Sequence, residues 1–134
     1  MLSSLLLLNE NADERGKLVV IEGNMTIPFE IKRVFYIYNN KSNLTRGKHA
    51  HYKTRQVLIT LSGRCTVSLD NLKRKEEVIL DSPNKALVLE PNDWHEMFNF
   101  SEGCVLMVLA SHNYDPEDYI HDYEVFQNIY KEFI

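Results

Sequence analysis

Three histidines in two short segments are the residues of this chain best suited to chemistry. His49 and His51 stand two apart in Arg46-Gly47-Lys48-His49-Ala50-His51, and His95 sits in Pro91-Asn92-Asp93-Trp94-His95-Glu96. On an extended strand, residues i and i+2 share a face, so the first pair projects to one side. Imidazole has an ordinary pKa close to neutrality, which suits it to take a proton and return it. Three such rings buried together form either a site or an expensive core, because each needs partners for two nitrogens.

Arginines supply the second signal. Arg46 precedes His49 by three positions, and Arg15, Arg33 and Arg55 lie on or beside expected strands. Their planar guanidinium forks match the oxygens of a diphosphate. Tyr36 and Trp94 are the aromatics expected to border a sugar or a base, and Glu96 could orient a histidine or accept sugar hydroxyls. Arg33 and Tyr36 differ by three, so a regular strand cannot turn both inward; one faces out or reaches a partner subunit unless a bulge intervenes. Lys48 has the opposite parity to both motif histidines and is expected to face away. His112 and His121 lie outside the motifs and read as surface or capping residues.

The elements that must position these groups are short strands. At 134 residues the chain is read as one domain, long enough to bury ~68% of its unfolded surface. Strand-like runs end at turn signals: Leu18 to Glu22, Ile31 to Tyr38, Gln56 to Leu61, Arg64 to Leu69, Glu76 to Leu80, Ala86 to Leu89 and Cys104 to Ala110. This succession predicts an all-β sandwich or barrel. Asp115-Pro116-Glu117-Asp118 reads as a helix start, with Asp as N-cap and Pro in the first turn. Tyr119, Tyr123, Phe126, Ile129, Tyr130 and Phe133 follow at helical spacing, which predicts one C-terminal helix over residues 115–133. Residues 1–12 are expected to form an N-terminal strand or dimer arm through Leu5 to Leu8. Cys65 and Cys104 lie in apolar runs and read as reduced core residues of a cytoplasmic protein. No stretch approaches transmembrane length, and a net charge of -4 argues against a general nucleic-acid binder.

The two histidine segments, with Gly63 after the first and Asn99 after the second, resemble the paired motifs of cupins, which are jelly-roll (double-stranded β-helix) barrels. Where a metal-binding cupin carries Glu, this chain has Gln56. A neutral amide brings no charge to a cation, so the resemblance points to histidine acid–base chemistry with no metal and no cofactor. Further segments sharpen the match: Arg15-Gly16-Lys17-Leu18-Val19-Val20-Ile21-Glu22, Ile31-Lys32-Arg33-Val34-Phe35-Tyr36-Ile37, Leu80-Asp81-Ser82-Pro83, Trp94-His95-Glu96-Met97 and Val105-Leu106-Met107-Val108-Leu109-Ala110-Ser111. In order and spacing they resemble the sugar-nucleotide 3,4-ketoisomerases acting on dTDP-4-keto-6-deoxyglucose.

That resemblance implies a cytoplasmic homodimer with exchanged N-terminal strands, binding a dTDP-linked 4-keto-6-deoxyhexose and making the 3-keto isomer for 3-amino-3,6-dideoxy sugars. It implies catalysis by His49 as the base at C3 and by His51 as the shuttle between the oxygens or the acid at C4, with the reverse assignment open, and with Gln56, Tyr36 and His95 as donors to the enolate oxygen. Arg15, Arg33, Arg46 and Arg55 are the candidates for the diphosphate. Arg15 resembles the branch giving galacto products, whereas Phe98 departs from the polar residue expected after His95, so the expected product is galacto-leaning or mixed at C4. The rival readings are a metal-dependent cupin (a dioxygenase or isomerase, with Gln56 as a weak ligand) and a 3,5-epimerase of the same sugar nucleotide.

Overall fold

The segment Gln56-Val57-Leu58-Ile59-Thr60 is buried throughout. A strand buried on both faces needs cover from both sides, and the surrounding elements supply it. The computed structural model describes residues 4–133. Residues 1–3 of the expected arm and the side chain of Phe133 lie outside the described ones.

One five-stranded sheet contains β1 (Leu5–Leu7), β9 (Lys85–Leu89), β6 (Gln56–Ser62), β11 (Val105–Ala110) and β4 (Arg33–Ile37), side by side in that order. The other contains β12 (Tyr119–Ile120), β5 (Arg46–His51), β10 (Trp94–Phe98), β7 (Cys65–Asp70) and β8 (Lys75–Leu80). Pairing is antiparallel within both sheets, as in Leu58 opposite Leu87 and Val108, or Met97 opposite Val67. β2 (Asn11–Asp13) and β3 (Gly16–Leu18) form a hairpin separate from both. The arrangement is the all-β, two-sheet barrel that the cupin resemblance implies.

Between the sheets, Leu58, Leu87, Leu106 and Val108 meet Val67, Leu80 and Met97. On the outer face of the first sheet, Val57, Ile59, Val88 and Leu109 are covered by Ile27 and Phe29, with Val19 and Ile21 packed alongside. This cover explains why the expected strand from Leu18 to Glu22 stops at Leu18. Residues 19–22 keep the inward and outward alternation of a strand but lie across the sheet without joining a ladder. Cys65 and Cys104 are buried and free, and burial pushes the Cys65 thiol up to about 12. Between β6 and β7, Gly63 has φ +72 and a Cβ there would collide with the Ser101 hydroxyl. Among the described residues, no helix is long and apolar enough to cross a membrane.

The C-terminal segment departs from expectation. In place of one helix over 115–133 the chain forms a single 3-10 turn at Pro116–Asp118, strand β12, helix α1 (Tyr123–Tyr130) and a closing 3-10 turn at Lys131–Phe133. Asp115 caps the first turn and Asp122 caps α1 by accepting from the Glu124 and Val125 amides. Tyr119 and Ile120 pair with His51 and Ala50. The open edge of β5 thus holds these two residues extended and interrupts the helix. Phe126 of α1 then packs on Ala50, Trp94 and Ile120, covering the outer face of the second sheet.

Candidate active site

The His-x-His strand is not regular. His95 lies opposite His49 but Glu96 lies opposite Gly47, so Lys48 is an extra residue, a β-bulge. Lys48 has φ 61 and Gly47 has φ 86. A Cβ on Gly47 would sit 2.9 Å from the His95 carbonyl oxygen and 3.2 Å from the Met97 sulfur, so the close approach of β5 to β10 requires glycine there. The exposed Lys48 faces away, as expected.

The bulge also turns the Gly47 carbonyl back toward its own strand, where it lies 3.1 Å from His49 Nδ1. On β10 the Asp93 carbonyl lies 3.0 Å from His95 Nδ1. A carbonyl can only accept, so in both rings Nδ1 carries the hydrogen and Nε2 keeps a lone pair. His51 Nε2 is buried with no hydrogen-bond partner among the described residues.

The three rings surround one point. His49 lies 4.6 Å from His95 and 5.2 Å from His51, and His51 stacks on His95 at 5.8 Å. Burial lowers His49 to about 4, with the nearby His121 adding to the effect. Burial first, then His49 and Arg33, lowers His51 to about 3. Burial, then His49, lowers His95 to about 3. All three are therefore neutral at pH 7.

His49, His95, Arg46, Gln56, Phe35 and Tyr119 line a cavity of about 140 Å³ between the sheets. Arg46 stands at its rim, exposed, and donates to the Asn40 side chain at 2.8 Å. Arg33 shares the inward face of β4 with Phe35, and its Nη1 donates to the Tyr119 oxygen at 3.4 Å.

Five expected site residues stand elsewhere. Tyr36 has the opposite parity to Arg33; it is 62% exposed and stacks on Tyr38. Trp94 and Glu96 flank the inward His95, so both project to the other side of β10. There Trp94 Nε1 donates to Glu96 at 3.2 Å and the indole packs on Tyr123 and Phe126. Phe98 shares that outer parity, so it does not face the cavity either. Arg55 is engaged by Glu90 through two hydrogen bonds, of 2.7 and 2.9 Å, and by the Pro28 carbonyl. Arg15 lies at the tip of the β2–β3 hairpin, bound to Asp13 and almost fully exposed.

Two groups that sequence reasoning placed outside the site stand beside the histidines: Tyr119, which lines the cavity, and His121, which is exposed as expected. The Tyr119 ring lies 4.7 Å from His51 and 5.1 Å from His49. His121 stacks on Tyr119 at 5.5 Å and meets His49 edge-on at 5.6 Å. The i, i+2 spacing of Tyr119 and His121 is the same signal that marked His49 and His51, hidden under an expected helix. The segment is tied to the catalytic strand by buried Asp118, which accepts from the Lys53 amide at 2.8 Å and from the Thr54 hydroxyl. The Tyr130 hydroxyl donates to the His51 carbonyl at 2.7 Å. Among the described residues, no three histidine, cysteine or carboxylate side chains are grouped to hold a metal ion.

Comparison with known proteins adds an independent line. The family model described as FdtA, WxcM-like, C-terminal, matches residues 1–131. A TDP-4-oxo-6-deoxy-alpha-D-glucose-3,4-oxoisomerase from Aneurinibacillus thermoaerophilus is 52% identical over 115 residues, which is 86% of this chain and 83% of that protein. The solved structure of QdtA, a sugar 3,4-ketoisomerase from Thermoanaerobacterium thermosaccharolyticum in complex with TDP, is 42% identical. It superposes with a TM-score of 0.95 over 100% of this chain and 99% of that one. The WlaRB TDP-quinovose 3,4-ketoisomerase from Campylobacter jejuni is 44% identical with a TM-score of 0.90, over 92% of this chain and 95% of that one.

Proposed function

The chain belongs to the FdtA family, and from that membership we propose that it isomerises TDP-4-keto-6-deoxyglucose to the 3-keto-6-deoxyhexose. The observation that carries the reading is the cluster of three neutral imidazoles, of which His49 and His95 line the cavity with Arg46 at its rim. Moving a ketone from C4 to C3 needs a base at C3, an acid at C4 and transfer of a proton between the two oxygens. The Nε2 lone pair of His49 is the base. The negative charge of the bound diphosphate and of the forming enediolate opposes the lowering by burial and lets this ring take the proton. His51, next on the same face, carries the proton between the oxygens, and the protonated His49 delivers its proton to C4 on the same face of the ring, which leaves the C4 hydroxyl axial. The Gln56 amide donates to the enediolate, whereas His95, its Nδ1–H already given to Asp93, offers an acceptor to a sugar hydroxyl.

Arg46, at the cavity rim, serves the anionic end of the substrate. Arg15 rides on the exposed hairpin, so its contact with the sugar nucleotide comes through a homodimer in which the N-terminal region crosses to the partner. Its likeness to the galacto branch supports a galacto-leaning or mixed product. Phe98, on the far face of β10, takes no part in that choice. The 3-keto group is a substrate for transamination to a 3-amino-3,6-dideoxy sugar. Two buried free thiols fit the reducing cytoplasm.

The test is proton NMR of TDP-4-keto-6-deoxyglucose with the purified protein in D2O. Deuterium should enter the ring at C4 as the ketone moves to C3, and the same reaction run in H2O should report, through its H4 couplings, the axial hydroxyl in all or part of the product. A folded protein giving neither exchange nor new signals would remove the ketoisomerase reading. Inverted stereocentres with the ketone still at C4 would replace it with an epimerase.

A further inference from the structure

Tyr119 lines the histidine cavity, yet the chemistry just described leaves its hydroxyl unused. Arg33 Nη1 donates to the phenolic oxygen at 3.4 Å. A guanidinium has donors and no acceptor. The oxygen therefore accepts in this contact, and its own hydrogen must point elsewhere. Among the described residues that O–H finds no acceptor. The ring that carries it meets His49 and His51 edge-on, at 5.1 and 4.7 Å, beside the histidine cavity that it lines.

Arg33 is itself arranged at some cost. It is half-buried, and its Nε is buried without a partner. Among the described residues no carboxylate pairs with it. It is held by the Phe35 and Tyr114 rings, 5.4 and 5.7 Å away. A buried guanidinium N–H left unpaired is costly in a resting fold, and the arrangement makes sense where negative charge develops during turnover. The Tyr119 backbone is fixed by pairing with His51, and its ring by stacking on His121. A donor held this firmly needs no reorganisation when the oxygen opposite it becomes charged.

We propose that Tyr119 is a catalytic residue whose hydroxyl donates a hydrogen bond to the enediolate oxygen, and that Arg33 is the positioning residue that aims it. This takes for Tyr119 the donor role that the sequence offered to Tyr36. No bond to the phenol is made or broken; the hydroxyl stabilises charge while the histidines move the protons. The inference rests on the ketoisomerase reading.

The experiment compares wild type, Tyr119→Phe, Arg33→Gln and the double variant by NMR in D2O. Each is checked for folding by its melting curve. Tyr119→Phe keeps the ring stacks and should lower kcat on the order of 10²-fold, with KM changed less than about threefold and deuterium entry at C4 slowed in parallel. Arg33→Gln leaves the phenol in place and should lower kcat through its orientation. The double variant should then be no slower than Tyr119→Phe alone, the non-additivity of groups acting as a unit. Arg33→Lys, which keeps a donor, should recover part of the loss. Tyr119→Phe turning over within about threefold of an active wild type overturns the inference and leaves the ketoisomerase standing. Fully additive losses overturn the coupling to Arg33. An inactive wild type removes both.

Discussion

Which ring nitrogen carries the hydrogen decides what each histidine can do. The period of two in the sequence was enough to bring His49 and His51 to one side. The tautomers were not legible there, because they depend on the Gly47 and Asp93 carbonyls and on a bulge at Lys48 that no spacing rule announces. With His49 Nε2 as the base, His49→Gln should lose about 10³-fold in kcat and lose deuterium entry at C4, since general-base catalysis is worth ~10²–10⁴. The same burial that keeps the rings neutral makes stability depend on pH. The folded values of His49, His51 and His95 lie below 6.5. Between about pH 4 and 6.5 the unfolded chain therefore binds more protons, and stability must fall as pH falls through that window. Asp93, raised by burial to about 6, acts in the opposite sense but is one group against three. Melting temperatures of the free protein should drop from pH 7 toward pH 4, and His51→Asn should flatten the slope. An unchanged slope in that variant would show that the buried rings are not its source.

At the scale of elements, the active site depends on how the C-terminal segment is fastened to β5. Asp115-Pro116 was a true N-cap signal, but for one 3-10 turn. The extended Tyr119–Ile120 that follows is imposed by the unpaired edge of β5, a tertiary demand that local propensity does not carry. For the same reason Trp94 and Glu96 were misplaced: the neighbours of an inward histidine must face outward, and α1 was there to cover the indole. Asp118 is the fastening. Asp118→Ala would strand the buried Thr54 hydroxyl, at about 1–3 kcal/mol, and would release the part-buried Lys53 amide. We expect a lower melting temperature together with weaker turnover, as Tyr119 drifts from the cavity. Asp118→Asn retains one acceptor oxygen and should lie between the two. Gly47→Ala acts on the opposite wall: a Cβ 2.9 Å from the His95 carbonyl oxygen must spread β5 from β10, costing activity before the protein unfolds.

Apolar side chains stay exposed on the β2–β3 hairpin and on β4. The all-β barrel was legible because its strands are short, alternating and separated by turn residues, whereas the fate of the N-terminal region was not. Within the single chain β1 pairs with β9, and the β2–β3 hairpin stands exposed along its length. Leu18 on that hairpin and Val34 and Tyr36 on β4 are each more than half exposed. β4 is also the last strand of its sheet, with one edge unpaired. Exposed apolar residues beside a free strand edge mark an interaction surface or an aggregation hazard. A second copy of the chain is the occupant expected from the family resemblance, and it gives Tyr36 the partner-facing place that strand parity left open. Light scattering after size exclusion should therefore give twice the chain mass. Leu18→Glu with Tyr36→Glu would put two charges into that contact and should yield a folded monomer with an unchanged far-UV spectrum. A double variant that remains dimeric would place the interface elsewhere. One that is monomeric yet fully active would show that Arg15, carried on the same hairpin, has no part in binding the sugar nucleotide.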